Sequence, residues 1–453
     1  MYINRLIDRE LSDWAKSPTH KPVLLRGARQ VGKSSSVRHL GESFKYFIEV
    51  NFEKRPELKP LFAEVHDVRE LAARIGQLYN TPVVLGETLL FLDEIQACED
   101  ALKCLWFFKE DYPDLHVIAA GSLLEFALKR ISTFGVGRIR SMFMYPLSFD
   151  EFLAATGRNA WIESKNNADA EHPLFGALHN DLVQAYRSYL IVGGMPASVV
   201  VWVGTHDYRQ CADELDDIQQ SYYDDFAKYA DKVDVTLLRN TLQSAVTQVG
   251  KKFVYSRVDG DYKSAQVKSA LAMLCDAGLL MAVRCTAASG MPLGAEVNSK
   301  FTKYIYLDSG LLLRILDMEL GGSRQLTELI LAGSAEDLVN KGSLTEMVAG
   351  WELVKYSPSR SQHDLYYWEN TAAGATSEVD YVIVRDMQII PLEVKAGTSG
   401  KMKSLAVMME RKGLHEAVRS SLENFGQLTQ RSAGVERHIN IVPLYALSRL
   451  MAD

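Results

Sequence analysis

The sequence predicts an α/β fold built on a parallel sheet, and three stretches carry that reading. "PVLLRG" (22–27) is a continuous apolar run that passes through a glycine turn into the helically spaced "GKSSSVRHL". "TLLFLDEIQ" (88–96) is a second apolar run, closed by two acids, and "LHVIAAGSLL" (115–124) is a third. Strands buried on both faces lose the alternation of apolar and polar residues, and strands separated by helical spacing pair in parallel. At 453 residues the chain exceeds a single core and divides into several domains.

Composition narrows the function class. The hydrophobic fraction of 47% and charged fraction of 24% are those of a globular protein. No apolar run approaches the roughly 18 residues of a membrane span. The opening "MYINRLIDRELSDW" meets a charge every few residues and lacks the apolar centre of a signal peptide, so a cytoplasmic location is expected. The five cysteines, Cys98, Cys104, Cys211, Cys275 and Cys285, are odd in number and not spaced as zinc ligands, which predicts reduced core thiols. A net charge of -7 argues against a chain coated in nucleic acid. Residues 251–304 nevertheless hold eight Lys and Arg against four Asp and Glu, a local +4 that leaves -11 elsewhere. A DNA surface, if the chain has one, is expected there.

The first turn fits G-x-x-x-x-G-K-[ST], the phosphate-binding pattern, in its required place between strand and helix. Gly27, Ala28, Arg29, Gln30, Val31, Gly32, Lys33, Ser34 and Ser35 are therefore expected to cradle the triphosphate of ATP. The glycines let backbone N–H groups approach the phosphates, and the helix N-terminus adds partial positive charge. Lys33 would bridge the outer phosphates and Ser34 would ligate Mg²⁺. The acids that close the second strand complete the set: Asp93 for the Mg²⁺ shell and Glu94 to orient the attacking water. Ser122, at the tip of the third strand, reads either as a sensor of the γ-phosphate or as the cap of the next helix.

Taken in order, "RGARQVGKS", "LLFLDEIQ", "IAAGSLLEF", "GRIRSMFMYPLSFDEF" and "VGGMP" resemble a bacterial and archaeal family of AAA+ ATPases with a C-terminal DUF4143 region. The likeness covers nearly the whole chain. It implies a ring in which an arginine of one subunit completes its neighbour's site. Arg138 is the first candidate and Arg140 the second, with a salt-bridged Arg138 as the alternative. A second sensor arginine is not evident.

The organisation expected is an ATPase core over residues 1–155, a helical connector over 156–235, a winged-helix-like domain over 236–320 and a nuclease-like α/β domain over 335–453. "VGGMP" reads as a tight turn with no chemistry of its own. In the winged-helix stretch, Val267, Leu271 and Leu274 form an apolar stripe that leaves Lys263, Gln266 and Lys268 facing outward, either for DNA or simply as the outer face of a packing module.

Near the C-terminus, "SEVDYVIVRDMQIIPLEVKAG" reads as a hairpin turning at Asp386 and Met387, which sets Asp380 opposite Glu393 with Lys395 on the same face. This D-x12-E-V-K arrangement resembles the PD-(D/E)XK nuclease core. The resemblance implies a divalent Mg²⁺ or Mn²⁺ held by Asp380, Glu393 and the helical Glu346, with Lys395 steadying the attacking water; an inactive fold of the same kind is the alternative. Other E-x-K copies, among them Glu57 with Lys59 and Glu163 with Lys165, have no acid across from them. The function expected is that of an ATP-hydrolysing oligomer acting on DNA, branched or broken. The competing expectation is a nucleotide-controlled signalling or defence switch with protein partners.

Overall fold

In a computed structural model the three apolar runs become neighbouring strands. The model describes every residue except 64–66, 123, 129–136, 230–232, 320–340, 373, 398–401, 433 and 452–453. The chain folds as two compact units: Met1–Pro146 with the short returns Asp276–Gly278 and Pro358–Gln362, and Leu147–Cys275 with Leu279–Ser357 and His363–Asp453.

The first unit is built on β1 (Val23–Arg26), β2 (Tyr46–Asn51), β3 (Thr88–Asp93), β4 (His116–Ala120) and β5 (Arg140–Phe143), in the order β2-β3-β4-β1-β5. Every pairing is parallel. β3 and β4 are buried along their whole length, as their unbroken apolar runs require. Helices Val68–Leu78 and Glu99–Asp111 supply Leu71, Ile75, Leu102, Leu105 and Phe108 to the core over Leu24, Val50, Leu90 and Leu92. Register fixes what the sheet presents. Ala120 lies level with Leu25 on one side and with Asp93 on the other, so the ends of β1, β3 and β4 meet at one edge.

The second unit begins with helices, among them Gly176–Val192, Tyr208–Asp225, Val235–Thr247 and Ser264–Asp276. A mixed eight-stranded sheet follows: β6 (Leu280–Thr286), β7 (Val297–Tyr306), β8 (Leu365–Glu369), β9 (Glu378–Arg385), β10 (Gln388–Val394), β11 (Glu416–Ser421), β12 (Gly426–Ser432) and β13 (Val435–Pro443). Its order is β12-β13-β11-β10-β9-β8-β6-β7. On the helix Ser264–Asp276, Val267, Leu271 and Leu274 are buried while Gln266 and Lys268 are exposed, as is Lys263 just before the helix. The β6–β7 hairpin forms where a wing was expected, but β6 also pairs in parallel with β8, Val283 opposite Leu365 and Cys285 opposite Tyr367. The stretches 236–320 and 335–453, separate in the sequence reading, thus share one sheet. An edge carrying buried Val283 and Cys285 is better satisfied by a partner strand than by water. The aromatic run of β8 is core, with Tyr367 and Trp368 buried. None of the five cysteines takes part in a disulfide. Among the described residues, no helix is long and apolar enough to cross a membrane.

"VGGMP" forms the tight turn that was expected, and its glycines are needed for packing. The Gly194 N–H donates to Asp308 Oδ2 at 2.6 Å, and its carbonyl accepts from the Leu147 N–H at 2.6 Å. A Cβ on Gly194 would lie 2.3 Å from the Leu147 carbonyl oxygen, which is backbone and has no rotamer to escape into. Gly194→Ala should therefore cost about 1–3 kcal/mol, read as a lowered unfolding midpoint of the second unit in scanning calorimetry, with ATP binding retained.

Candidate functional site

β1 hands its chain to a turn that only glycine can make. Gly27 has φ +144, and a Cβ there would lie 2.1 Å from the Met144 carbonyl oxygen. Gly32, at φ +101, is the N-cap of the helix Lys33–Gly41. These conformations open a concave row of amides at a helix N-terminus, the arrangement that receives an anion. Lys33 is buried inside the turn, its Nζ donating to the Gly27 and Ala28 carbonyls at 2.9 and 2.6 Å. Burial pushes this lysine down to about 8, against the opposing pull of Glu94 and Asp93. A cation held by carbonyls alone is under-compensated, and phosphate oxygens would supply what it lacks.

Beside the turn, the Ser34 hydroxyl donates to Asp93 Oδ1 at 2.9 Å. The two groups expected to share Mg²⁺ are thus already adjacent, and the residues fit the ion. Burial raises the Asp93 carboxyl. Its other oxygen accepts from Asn51 Nδ2 at 2.9 Å, and Arg38 lies 3.9 Å away while gripping Glu49 with two hydrogen bonds. Glu94 follows in a left-handed conformation, φ +50, and Oε2 accepts from Gln96 Nε2 at 2.6 Å. Ser122, half-buried, follows Gly121 just beyond Ala120, at the same edge as the two acids. Arg138 pairs with Glu110 and lies over the Trp106 ring, 5.0 Å from its centroid. Asn51, Arg38 and Gln96 were not anticipated. Asn51 had a signal, since it closes the strand "YFIEVN" and sits level with Asp93 in the β2–β3 register.

The C-terminal hairpin has the register that was expected. Asp386 and Met387 both take positive φ, as a two-residue turn of this kind demands. Pairing runs from Arg385–Gln388 to Tyr381–Leu392, which brings Asp380 level with Glu393. Asp380 Oδ2 accepts from the Val394 N–H at 2.7 Å, and Lys395 donates to Glu393 Oε1. Glu346, on the helix Lys341–Lys355, joins the same centre, but it reaches Lys303 of β7. Lys303 pairs with Glu346 at 2.8 Å and with Glu378 at 2.6 Å. Burial alone would lower this lysine; Glu346, Glu378 and Asp380 overcome that and hold its ammonium charged. Burial, then Asp380, pushes Glu393 up to about 7.

The structure thus unites Glu346, Asp380, Glu393 and Lys395 as expected, and adds Lys303 and Glu378. Among the described residues, no three His, Cys, Asp or Glu side chains converge as a metal-binding group. Glu346 and Glu393 are each already paired with an ammonium group, Lys303 and Lys395, so the centre holds its own cations where a divalent ion was expected. Both missed residues had a weak signal in strand period, Lys303 sharing a face with Phe301 and Ile305, and Glu378 with Asp380.

Three stretches of the chain match models of known families. Residues 19–153 match the family model of an AAA domain, 183–320 that of a domain of unknown function, DUF8612, and 341–447 that of a second, DUF4143. The chain pairs an AAA-type ATPase domain with a DUF4143 region. Similar solved structures include a Walker-type ATPase of Pyrococcus abyssi, at 14% identity over 70% of this chain and 96% of that one, with a TM-score of 0.45. The ORC1 protein of Aeropyrum pernix in complex with DNA aligns at 11% identity over 70% and 92%, with a TM-score of 0.29. The S. cerevisiae Hsp104–ADP complex aligns at 13% identity over 60% and 38%, with a TM-score of 0.28. No curated protein matches the chain.

In the AAA domain the depressed Lys33 makes nucleotide affinity depend on pH. Triphosphate favours the ammonium, so binding raises the Lys33 pKa and takes up a proton wherever the free protein has lost it, above about 8. Affinity should be flat below that value and weaken as pH rises through it, by up to about tenfold per unit. Calorimetric titration of ATP from about pH 7 to about pH 9.5, in two buffers of different ionisation enthalpy, measures both effects. Unchanged affinity with no proton uptake would exclude this role for Lys33.

Proposed function

We propose that the chain is an ATP-hydrolysing AAA+ protein that assembles with copies of itself, as a ring, and acts on DNA. The observation that carries the ATPase reading is the contact of Ser34 with Asp93 at the root of a glycine turn enclosing Lys33. The turn's amides and Lys33 bind the β- and γ-phosphates and orient the terminal phosphorus. Mg²⁺, held by Ser34 and Asp93, would neutralise charge on the phosphate oxygens. Glu94 orients a water and accepts its proton as oxygen bonds to the γ-phosphorus and the bond to the bridging oxygen breaks, releasing ADP and phosphate. Gln96 positions Glu94 by its hydrogen bond. Arg138, from a neighbouring copy, is assigned to the developing charge on the transferred phosphoryl group; it would have to leave Glu110 to serve.

The DNA part of the reading is supported by the exposed Gln266 and Lys268 on one helix, by the exposed Lys263 just before it, and by the local +4 of residues 251–304. The switch reading, with protein partners and an inactive nuclease-like domain, is favoured by one observation, the engagement of Glu346 and Glu378 by Lys303.

Hydrolysis measured with single-stranded, duplex and four-way DNA at fixed salt separates the two. The DNA-acting reading expects stimulation that weakens as salt rises. Indifference to all three DNAs would overturn it in favour of the switch. In the same assay Glu94→Gln should retain ATP and lose about 10²-fold or more in turnover, and Arg138→Ala should lose about 10³-fold with binding intact. Normal turnover in either variant removes its assigned role.

A further inference from the structure

The acidic centre of the second unit gathers Glu346, Glu378, Asp380 and Glu393, and its charge is met from within the chain. Lys303 enters from β7 with a side chain only 1% exposed, and its Nζ lies 4.9 Å from the centroid of the buried Tyr367 ring. It contacts Glu346 Oε1 at 2.8 Å and Glu378 Oε1 at 2.6 Å. Lys395 covers Glu393 Oε1, and the Val394 N–H occupies Asp380 Oδ2. We propose that the Lys303 ammonium, paired with Glu346 and Glu378, is the resident cation of this centre, so that the centre is metal-independent.

Three physical points carry the assignment. A divalent ion binds through several carboxylate oxygens at about 2.0–2.6 Å, and one oxygen of each acid, Glu346 Oε1, Glu378 Oε1, Glu393 Oε1 and Asp380 Oδ2, is held by Lys303, Lys395 or a backbone amide. Second, a metal close to a buried ammonium would meet a repulsion that low local dielectric makes severe. Third, Lys303 cannot swing away into water, because its stem is enclosed and its head is held by two acids. Four carboxylates against two lysines still leave an excess of negative charge, which protons can meet. The same arrangement leaves one acceptor open: the buried Glu393 Oε2 has no hydrogen-bond partner. Cleavage by metal-generated hydroxide is not what the geometry of this centre prepares. None of this depends on the nucleotide site, and the test below can fail while ATP hydrolysis stands.

Titration of the full-length, nucleotide-free protein with Mn²⁺, followed by the paramagnetic resonance of free Mn²⁺, tests the assignment. The wild type and Asp380→Asn should bind Mn²⁺ alike, because neither has a metal site in this centre. Lys303→Met should gain a site at least about tenfold tighter than any in the wild type, and the added Asp380→Asn should remove it. Mn²⁺ binding by the wild type that Asp380→Asn abolishes would overturn the proposal, as would a folded Lys303→Met that gains no site. If Lys303→Met does not fold, the comparison of wild type with Asp380→Asn decides alone.

Discussion

The row of amides that faces a phosphate chain can exist only if the backbone turns through conformations closed to other residues, and the turn must then be pinned. Gly27 meets both demands, with a positive φ and the Met144 carbonyl where a side chain would be. Everything else at the site is measured from this turn. The register of β1, β4 and β3 places Ala120 level with Leu25 and Asp93, so the acid reaches Ser34 because the sheet is parallel and its strands end together. The apolar burial of β3 and β4 thereby fixes where two carboxylates emerge.

Two buried lysines show how surroundings set what the same side chain can do. Lys33 is bonded to two carbonyls, and desolvation outweighs the distant pull of Glu94 and Asp93, so its charge is costly until an anion arrives. Lys303 touches two carboxylates directly, and its charge is already paired. The first is poised for a ligand and the second has its partners built in. A buried ion pair of this sort adds little net stability but is expensive to break from one side, which suits a fixed element better than a binding group.

Short motifs gain meaning only from what faces them. Of the four E-x-K copies, Glu57 pairs with Arg55 in the open, Lys165 is wholly buried against Asp150 and Ser448 as a packing contact, and Glu410 with Lys412 ends the helix Lys403–Lys412. Only Glu393 with Lys395 lies opposite an acid, as the hairpin register requires.

The sequence by itself determined the local features: the glycine turn, the apolar strands with their terminal acids, the apolar stripe of Ser264–Asp276 and the two-residue hairpin at Asp386 and Met387. Each follows from short-range rules, namely backbone conformation, strand and helix period, and turn chemistry, which act within a dozen residues. Only the tertiary structure decided that Asn51 would hold Asp93, that β6 would pair with β8 across some eighty positions of chain, and that Lys303 would neutralise Glu346 and Glu378. Those contacts join residues far apart in sequence. Which strand lies beside which is set by the packing of the whole core, and a lysine's choice between water and a buried acid depends on neighbours that no local pattern contains.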